Sequence, residues 1–294
     1  MKEKIPFLQL RDRTLPIGNK TYIVGILNIT PDSLGGGYFD NVSGALTYAY
    51  QMIEDGADIL EIGGESTRPG FEVLMSKAVI ERIKPVLCEL CKTVKVPLAI
   101  DTYKSEVAKF ALDMGVQIVN DVSGLKADDC MSEVVNRYHA GVVISREREQ
   151  TDRFSREREY FGSNIFAIKQ ILKENYLDAL MNGIDRNRII LDPRIGSGMT
   201  VNNNLLPTED CIEILQSQDW FAQFGQPIMS AHSLKTFIGE TLGDLPTTER
   251  IEGTDAVSAY CVFKGVDFIR VHHVKRTKRI VKMLEAILQK NNDL

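Results

Sequence analysis

Eight short apolar runs alternate with amphipathic helix patterns along almost the whole of this 294-residue chain. Each run is apolar throughout, which is typical of parallel strands that are buried on both faces. Parallel neighbours need a long crossover connection, and a helix is the usual one. We therefore predict an α/β protein with strands at Tyr22–Asn28, Asp58–Ile62, Pro97–Ile100, Val116–Asn120, Val142–Ile144, Arg188–Leu191, Pro227–Met229 and Asp267–Val271.

The junctions between helices and strands repeat a local pattern. A glycine that ends a helical pattern leads directly into a strand at Gly56, Gly115, Gly141 and Gly265. Glycine readily takes the left-handed conformation that ends many helices, so we predict such a cap at each of the four positions. Two serines are predicted to cap the first turns of helices: Ser43 and Ser76.

Eight β–α units in just under 300 residues favour a (β/α)8 TIM barrel. The alternative is a doubly wound sheet, but the units are regular and no second domain is evident. We assign residues 22–294 to the barrel and residues 1–21 to a separate N-terminal segment. Within that segment, Phe7–Ile17 is predicted to form a small hairpin that plugs the bottom of the barrel.

Composition excludes several classes of protein. The chain is 44% apolar with a formal net charge of −5, so it is globular and has no general electrostatic attraction for nucleic acid or an anionic membrane. No apolar run is long enough to span a bilayer, and the N-terminus lacks the apolar core of a signal peptide. Five cysteines make an odd count for a disulfide framework. We expect a soluble cytoplasmic protein.

Polar residues stand at nearly every strand end, where a TIM barrel builds its active site. Acceptors and one amide, at Asp101, Asn120 and Asp192, suit a flat heterocycle with several N–H donors, such as an aminopyrimidinone. The donors Arg68, Arg270 and His272 suit a diphosphate, and Asn28 would hold a hydrated Mg²⁺ that also binds the diphosphate. The other polar residues at the strand ends are Asp121, His232, Ser233 and Lys235.

One charged stretch follows the fifth predicted strand. Ser145–Tyr160 contains the sequence SRERE twice and carries equal numbers of arginines and acids. Such a segment is predicted to be a solvated loop or an extra helix whose charges pair internally.

The chain resembles dihydropteroate synthase, a folate-pathway enzyme with a (β/α)8 barrel. The stretches that carry the resemblance run in family order from residue 22 to the C-terminus: GILNITPDS at 25–33, GADILEIGGESTRPG at 56–70, IDTYKSEVAKFAL at 100–112, IVNDVSG at 118–124, ILDPRIGSG at 190–198, SLKTFIGE at 233–240, ERIEGT at 249–254 and FIRVHHV at 268–274. Within these stretches, GGESTRPG and NITPDS are the most specific motifs.

The resemblance implies a reaction and a set of roles. Family members release diphosphate from a 6-hydroxymethyl-dihydropterin diphosphate while the amine of p-aminobenzoate attacks the exocyclic carbon. By resemblance the protein is a homodimer, and Thr67 and the loop at 30–40 close over the site. The implied pterin ligands are Asp101, Asn120, Asp192 and Lys235; the implied ligands of diphosphate and Mg²⁺ are Asn28, Arg68, Arg270 and His272; Thr67 and Ser233 are further implied substrate-binding residues. Catalytic roles are implied for Asn28, Asp101, Lys235, Arg270 and His272.

Departures from the family pattern fall mostly on the p-aminobenzoate side. Leu34 and Ser197 replace aromatic residues, and Leu234 replaces an arginine. Arg194 replaces a glycine, and Glu61 an aspartate. These departures leave open a second interpretation, in which the chain is a pterin-binding paralogue with an altered or degenerate p-aminobenzoate site and little synthase activity. A pterin-dependent methyltransferase is a further alternative, but it would have no diphosphate to bind.

Overall fold

The computed structural model describes residues 3–30, 42–65, 73–146, 164–196 and 206–290. The chain begins with two short strands, β1 (Phe7–Gln9) and β2 (Thr14–Pro16), which pair antiparallel with Leu8 opposite Leu15. The hairpin predicted for the N-terminal segment is therefore present.

Eight parallel strands form the central sheet, and their order closes into a ring. The order is β8-β7-β6-β5-β4-β3-β10-β9, and a bridge between Leu191 and Ile228 joins β8 to the residue before β9. The predicted (β/α)8 barrel is confirmed. Its strands are β3 (Tyr22–Asn28), β4 (Ile59–Gly63), β5 (Leu98–Asp101), β6 (Ile118–Asp121), β7 (Gly141–Ser145), β8 (Ile189–Asp192), β9 (Met229–Ser230) and β10 (Phe268–Val271).

Helices lie between the strands and cover the outside of the barrel. They are α1 (Val42–Glu54), α2 (Ser76–Thr93), α3 (Ser105–Met114), α4 (Met131–Arg137), α5 (Asn164–Met181), α6 (Thr208–Gln216), α7 (Gln218–Phe221), α8 (Thr236–Thr241), α9 (Ile251–Phe263) and α10 (Val274–Lys290). Among the described residues, no helix is long and apolar enough to cross a membrane.

Some of the predicted caps are wrong. Ser43 lies inside α1, and α2 begins at Ser76 with Met75 as its N-cap, so neither serine is a capping residue. The glycines Gly56, Gly115 and Gly265 have positive φ as predicted. Gly141 does not. His139 takes the left-handed conformation instead, with φ of 52°, and Gly141 already belongs to β7.

Close packing of the hairpin explains the glycine at 141. A Cβ atom there would lie 2.7 Å from Cδ2 of Leu10, so a side chain at this position would force the Leu10 side chain to shift. Leu8 and Leu10 are fully buried and belong to the same apolar cluster as Val24 and Ile190 of the barrel interior. The hairpin thus closes the N-terminal end of the barrel, as predicted.

The buried core has two layers, which explains why the strands are apolar throughout. One layer lies between strands and helices; the other fills the barrel and includes Ile59, Ala99, Ile118, Val143 and Ile190. Because side chains alternate along a strand, the residue two positions after each of these five also faces the inside of the barrel. In five strands that later residue is polar and lies near the C-terminal end: Glu61, Asp101, Asn120, Ser145 and Asp192.

Candidate active site

The C-terminal mouth of the barrel gathers the predicted site residues. The sheet register places Asn28 beside Gly63, Gly63 beside Asp101, and Asp101 beside Asn120. On the other side of the ring, Asp192 is paired with Ser145. Except for β3 and β6, the predicted strands end at or before the last apolar residue, whereas β4 to β9 each continue to a glycine or polar residue. These terminal residues include several that the site uses.

An ion-pair cluster occupies the floor of this mouth. The guanidinium of Arg270 donates from Nη2 to Oδ2 of Asp101 at 2.8 Å and also pairs with Glu61. Burial raises the pKa of Asp101 to about 7; Arg270 acts against this rise and the neighbouring Glu61 adds to it. Asp101 therefore sits close to the point of losing its charge at neutral pH.

The same cluster fixes the orientation of Asn120. Its Nδ2 atom donates to Oε2 of Glu61 at 2.9 Å, and both side chains are almost fully buried. Oδ1 of Asn120 and Oδ1 of Asp101 are buried and have no hydrogen-bond partner among the residues described by the structure. Since a buried polar atom without a partner is costly, these two oxygens are ready to accept hydrogen bonds from a ligand.

Asp192 supplies a further acceptor across the mouth. Its Oδ1 accepts the backbone N–H of Arg194 at 2.7 Å, and burial raises its pKa. The half-buried Lys235 lies nearby. Desolvation, together with repulsion from Arg270 and Arg194, lowers the pKa of Lys235 to about 8. Asp121, also predicted at the mouth, accepts from the backbone and hydroxyl of Ser123 and so orders the turn after β6.

Ser233 and His272 form a separate polar pair on the loops after β9 and β10. Oγ of Ser233 lies 2.9 Å from Nδ1 of His272 and accepts the backbone N–H of His272 at 3.3 Å. The neighbouring His232 is fully buried between the hydroxyls of Ser230 and Ser258, at 2.9 and 2.8 Å. Burial lowers the pKa of His232 to about 3, so this ring is neutral and organises the loop.

The two arginines after β7 and β8 received no site role from the sequence. Arg146 was included in the solvated charged stretch, but it is 2% exposed, and that part of the prediction is wrong. Its neighbour Arg194, noted only as a replaced glycine, is 5% exposed and donates to the carbonyl oxygens of Val122 and Arg146. Burial lowers the pKa of Arg146 to about 10. The burial of these side chains arises where the segments after β6, β7 and β8 meet, so it is a tertiary property that the local sequence does not carry.

Several predicted residues lie outside the described residues: Leu34, Thr67, Arg68, Ser197 and most of the charged stretch at 147–160. The ends of the segment that carries Thr67 and Arg68 are nevertheless well defined. Glu65 accepts the backbone N–H of Leu74 at 2.9 Å and pairs with Lys104 at 2.6 Å. Nζ of Lys104 also donates to the carbonyl of Leu74. The ion pair between Lys104 and Glu65 thus joins the described residues on either side of that segment.

Comparison with known proteins identifies the family. The family described as "Pterin binding enzyme" matches residues 24–272. Dihydropteroate synthase of Bacillus subtilis (strain 168) is 38% identical over 284 residues, which are 96% of this chain and 94% of that protein. The chain belongs to the dihydropteroate synthase family. Dihydropteroate synthase of Clostridium beijerinckii is 35% identical and is covered over its whole length, with 96% of this chain aligned.

Solved structures of dihydropteroate synthases have the same fold. The Clostridium difficile enzyme, determined in the presence of pteroic acid, superimposes with a TM-score of 0.80 at 36% identity, covering 93% of this chain and 98% of that one. The Xanthomonas albilineans enzyme with 4-aminobenzoic acid gives 0.82 at 29% identity, covering 97% and 99%. The family resemblance, and with it the prediction of a folate-pathway transferase, is confirmed.

Proposed function

We propose that the protein joins 6-hydroxymethyl-7,8-dihydropterin diphosphate to p-aminobenzoate, with release of diphosphate. The observation that carries the proposal is the set of buried acceptors at the barrel mouth. Oδ1 of Asn120 and Oδ1 of Asp101 have no partner among the described residues, and Asp192 lies across from them. An aminopyrimidinone ring presents N–H donors along one edge, so an acceptor-rich floor is complementary to a pterin.

The cations around this floor suit a reaction that separates charge. The exocyclic C–O bond breaks, its electron pair leaves with the diphosphate, and the pterin ring shares the resulting positive charge. The amine nitrogen then bonds to that carbon and loses a proton. The carboxylates Asp101 and Asp192 favour a positive ring, and Arg270 favours the departing anion. Binding both substrates side by side adds the entropic advantage of proximity, and no covalent nucleophile is needed.

Asn28, Arg270 and His272 are the described candidates for the diphosphate end. The carboxamide of Asn28 occupies space that exists only because residue 63 is glycine, since a Cβ there would be 2.7 Å from Oδ1 of Asn28. Among the described residues, no group of three His, Cys, Asp or Glu side chains could hold a metal ion. A single amide oxygen fits a Mg²⁺ that arrives on the substrate phosphates. Asn28 would hold such an ion, which would supply charge neutralisation to the leaving diphosphate.

The synthase is favoured over the two alternatives. The relatives over nearly the whole chain are synthases, and no observation favours a degenerate acceptor site. A methyltransferase would have no use for the cations at the diphosphate end.

In addition, we infer that the protein is a homodimer. This inference is supported by three large apolar side chains on α9 and α10 that are exposed: Phe263, Met283 and Ile287. Light scattering in solution tests the dimer, and the cytoplasmic location stays a prediction.

One assay tests the proposed function. The protein is incubated with the pterin diphosphate, Mg²⁺ and p-aminobenzoate, and dihydropteroate is measured by mass spectrometry. The matched control replaces the diphosphate ester by the free hydroxymethyl pterin, which has no leaving group. Product from the diphosphate ester alone supports the proposal. Calorimetric binding of the diphosphate ester without product formation would instead establish the pterin-binding paralogue.

A further inference from the structure

We propose that Arg194 is a positioning residue that holds the Asp192 carboxylate in place for the pterin ring and supplies it with a permanently charged neighbour. The inference rests on the proposed function, because it concerns how the same site holds its pterin. Arg194 was noted from the sequence only as a departure from the family pattern. Its place at the barrel mouth is what gives that departure a role.

The contacts of Arg194 tie together the ends of three strands. Its backbone N–H donates to Oδ1 of Asp192 at 2.7 Å, which fixes one carboxylate oxygen. Its guanidinium donates from Nη1 to the carbonyl oxygen of Val122 and, at 3.4 Å, to that of Arg146. These carbonyls follow β6 and β7, whereas Arg194 follows β8. The side chain therefore bridges the loops that border the acceptor floor.

The backbone at Arg194 takes a conformation that is uncommon for a residue with a side chain. Its φ of 60° lies in the left-handed region, which favours glycine over residues with a Cβ atom. A residue keeps such a conformation only when its surroundings over-determine it. Here the over-determination comes from a nearly fully buried guanidinium bound to two carbonyl oxygens.

The charged groups around Asp192 give Arg194 a distinct part. Arg146, Arg194, Lys235 and Arg270 all interact electrostatically with Asp192. On the same floor, Asp101 is repelled by Glu61 and Asp121 and attracted by Arg270 and Arg194. Burial raises the pKa of Asp192, and the backbone N–H and positive charge of Arg194 oppose this rise ahead of Arg270 and Lys235.

A positive neighbour matters most at lower pH, where the buried carboxylate of Asp192 would otherwise take up a proton. The guanidinium of Arg194 stays protonated throughout this range and opposes that protonation more than Arg270 and Lys235 do. An ionised carboxylate accepts two N–H hydrogen bonds from an aminopyrimidinone edge, but a protonated one has an O–H that must donate. Arg194 thus keeps Asp192 ionised at lower pH, and the ionised carboxylate is the form that accepts hydrogen bonds from a pterin.

The test compares three variants by calorimetry with 6-hydroxymethylpterin from pH 5 to pH 8.5. Arg194→Gln keeps a donor for the Val122 carbonyl but removes the charge, Arg194→Lys keeps the charge, and Arg194→Gly removes both while suiting the left-handed backbone. We expect the Gln and Gly variants to lose affinity at higher pH than the parent does, with the acid limb displaced by about one pH unit. That displacement corresponds to roughly tenfold weaker binding on the acid side. The Lys variant is expected to follow the parent.

The outcomes separate this inference from the proposed function. Because every protein is titrated with the same pterin, the protonation of the ligand itself is common to all profiles. A uniform loss of affinity at all pH values in the three variants would mean a merely structural role, and identical profiles would mean none; either result overturns the inference alone. Absence of pterin binding by the parent at any pH overturns the proposed function and this inference with it. Thermal melting of each variant confirms that it is folded.

Discussion

Nδ2 of Asn120 donates a hydrogen bond to Oε2 of Glu61 over 2.9 Å inside the barrel mouth. A carboxylate can only accept, so this contact decides which end of the Asn120 amide is used up. The other end, Oδ1, is an acceptor without a partner among the described residues. Glu61 therefore makes Asn120 an acceptor toward any ligand and, by pairing with Arg270 as well, connects two of the residues that we propose to bind the pterin and the diphosphate.

Glu61→Gln is expected to weaken pterin binding. The new amide would give its oxygen to Arg270 and turn its NH₂ group toward Asn120, which would rotate and present a donor to the ligand. We expect a loss of about 1–3 kcal/mol, or roughly one to two orders of magnitude in the dissociation constant for 6-hydroxymethylpterin. Glu61→Asp, which keeps the charge, is the control and should lose less. Equal affinity of the Gln variant and the parent would contradict this account of Asn120.

Asp192→Asn is expected to weaken pterin binding by a similar amount, about 1–3 kcal/mol, because the ligand loses a charge-assisted hydrogen bond. Asp185→Asn is a matched control at the opposite end of β8. Asp185 accepts the backbone N–H of Asn187 at 2.8 Å, much as Asp192 accepts that of Arg194, but it is exposed and far from the mouth. The control variant should bind pterin like the parent. If both variants behave alike in calorimetry, Asp192 is not a pterin ligand.

Activity is expected to fall on the alkaline side with the titration of Lys235. Its pKa is lowered to about 8, so the ammonium that we propose as a donor to the pterin is present below that pH and lost above it. Asp101 becomes protonated below its raised pKa of about 7. We therefore expect kcat/KM to be greatest between the pKa of Asp101 and that of Lys235. In Lys235→Arg the charge persists, and the alkaline limb should move beyond pH 9. An active Arg variant with the limb unmoved would assign the titration to another group.

Stability depends on the ion pair between Lys104 and Glu65, because it is buried and joins the two ends of the 66–72 segment. Lys104→Met leaves the Glu65 carboxylate buried without its cation and should lower the free energy of unfolding by about 3 kcal/mol in urea titrations. Lys109→Met is the control. Lys109 pairs with Asp113 on the exposed face of α3, so its removal should cause no measurable change. A similarly small effect for both variants would show that the buried pair contributes little.

The barrel itself was predictable because each element follows a local rule. Strands buried on both faces are apolar throughout, and Tyr22–Asn28 matches β3 to the residue. The strand ends were less predictable, because β5 and β8 finish on the polar residues Asp101 and Asp192, which an apolar pattern does not include. Gly141 shows a second limit: its lack of a side chain serves contact with Leu10, a residue more than a hundred positions away.

Sequence alone determined the fold class, the family and the residues that follow the strands, since motifs and periodicity are local properties of the chain. Tertiary structure decided which partners those residues have. Arg146 and Arg194 are charged residues next to loops, and only closure of the barrel makes them buried cations beside Asp192. Likewise Glu61 acquires its role from Asn120 and Arg270, which come from strands on either side of it. Burial and charge pairing arise between distant segments, so they become defined only once the ring of strands is closed.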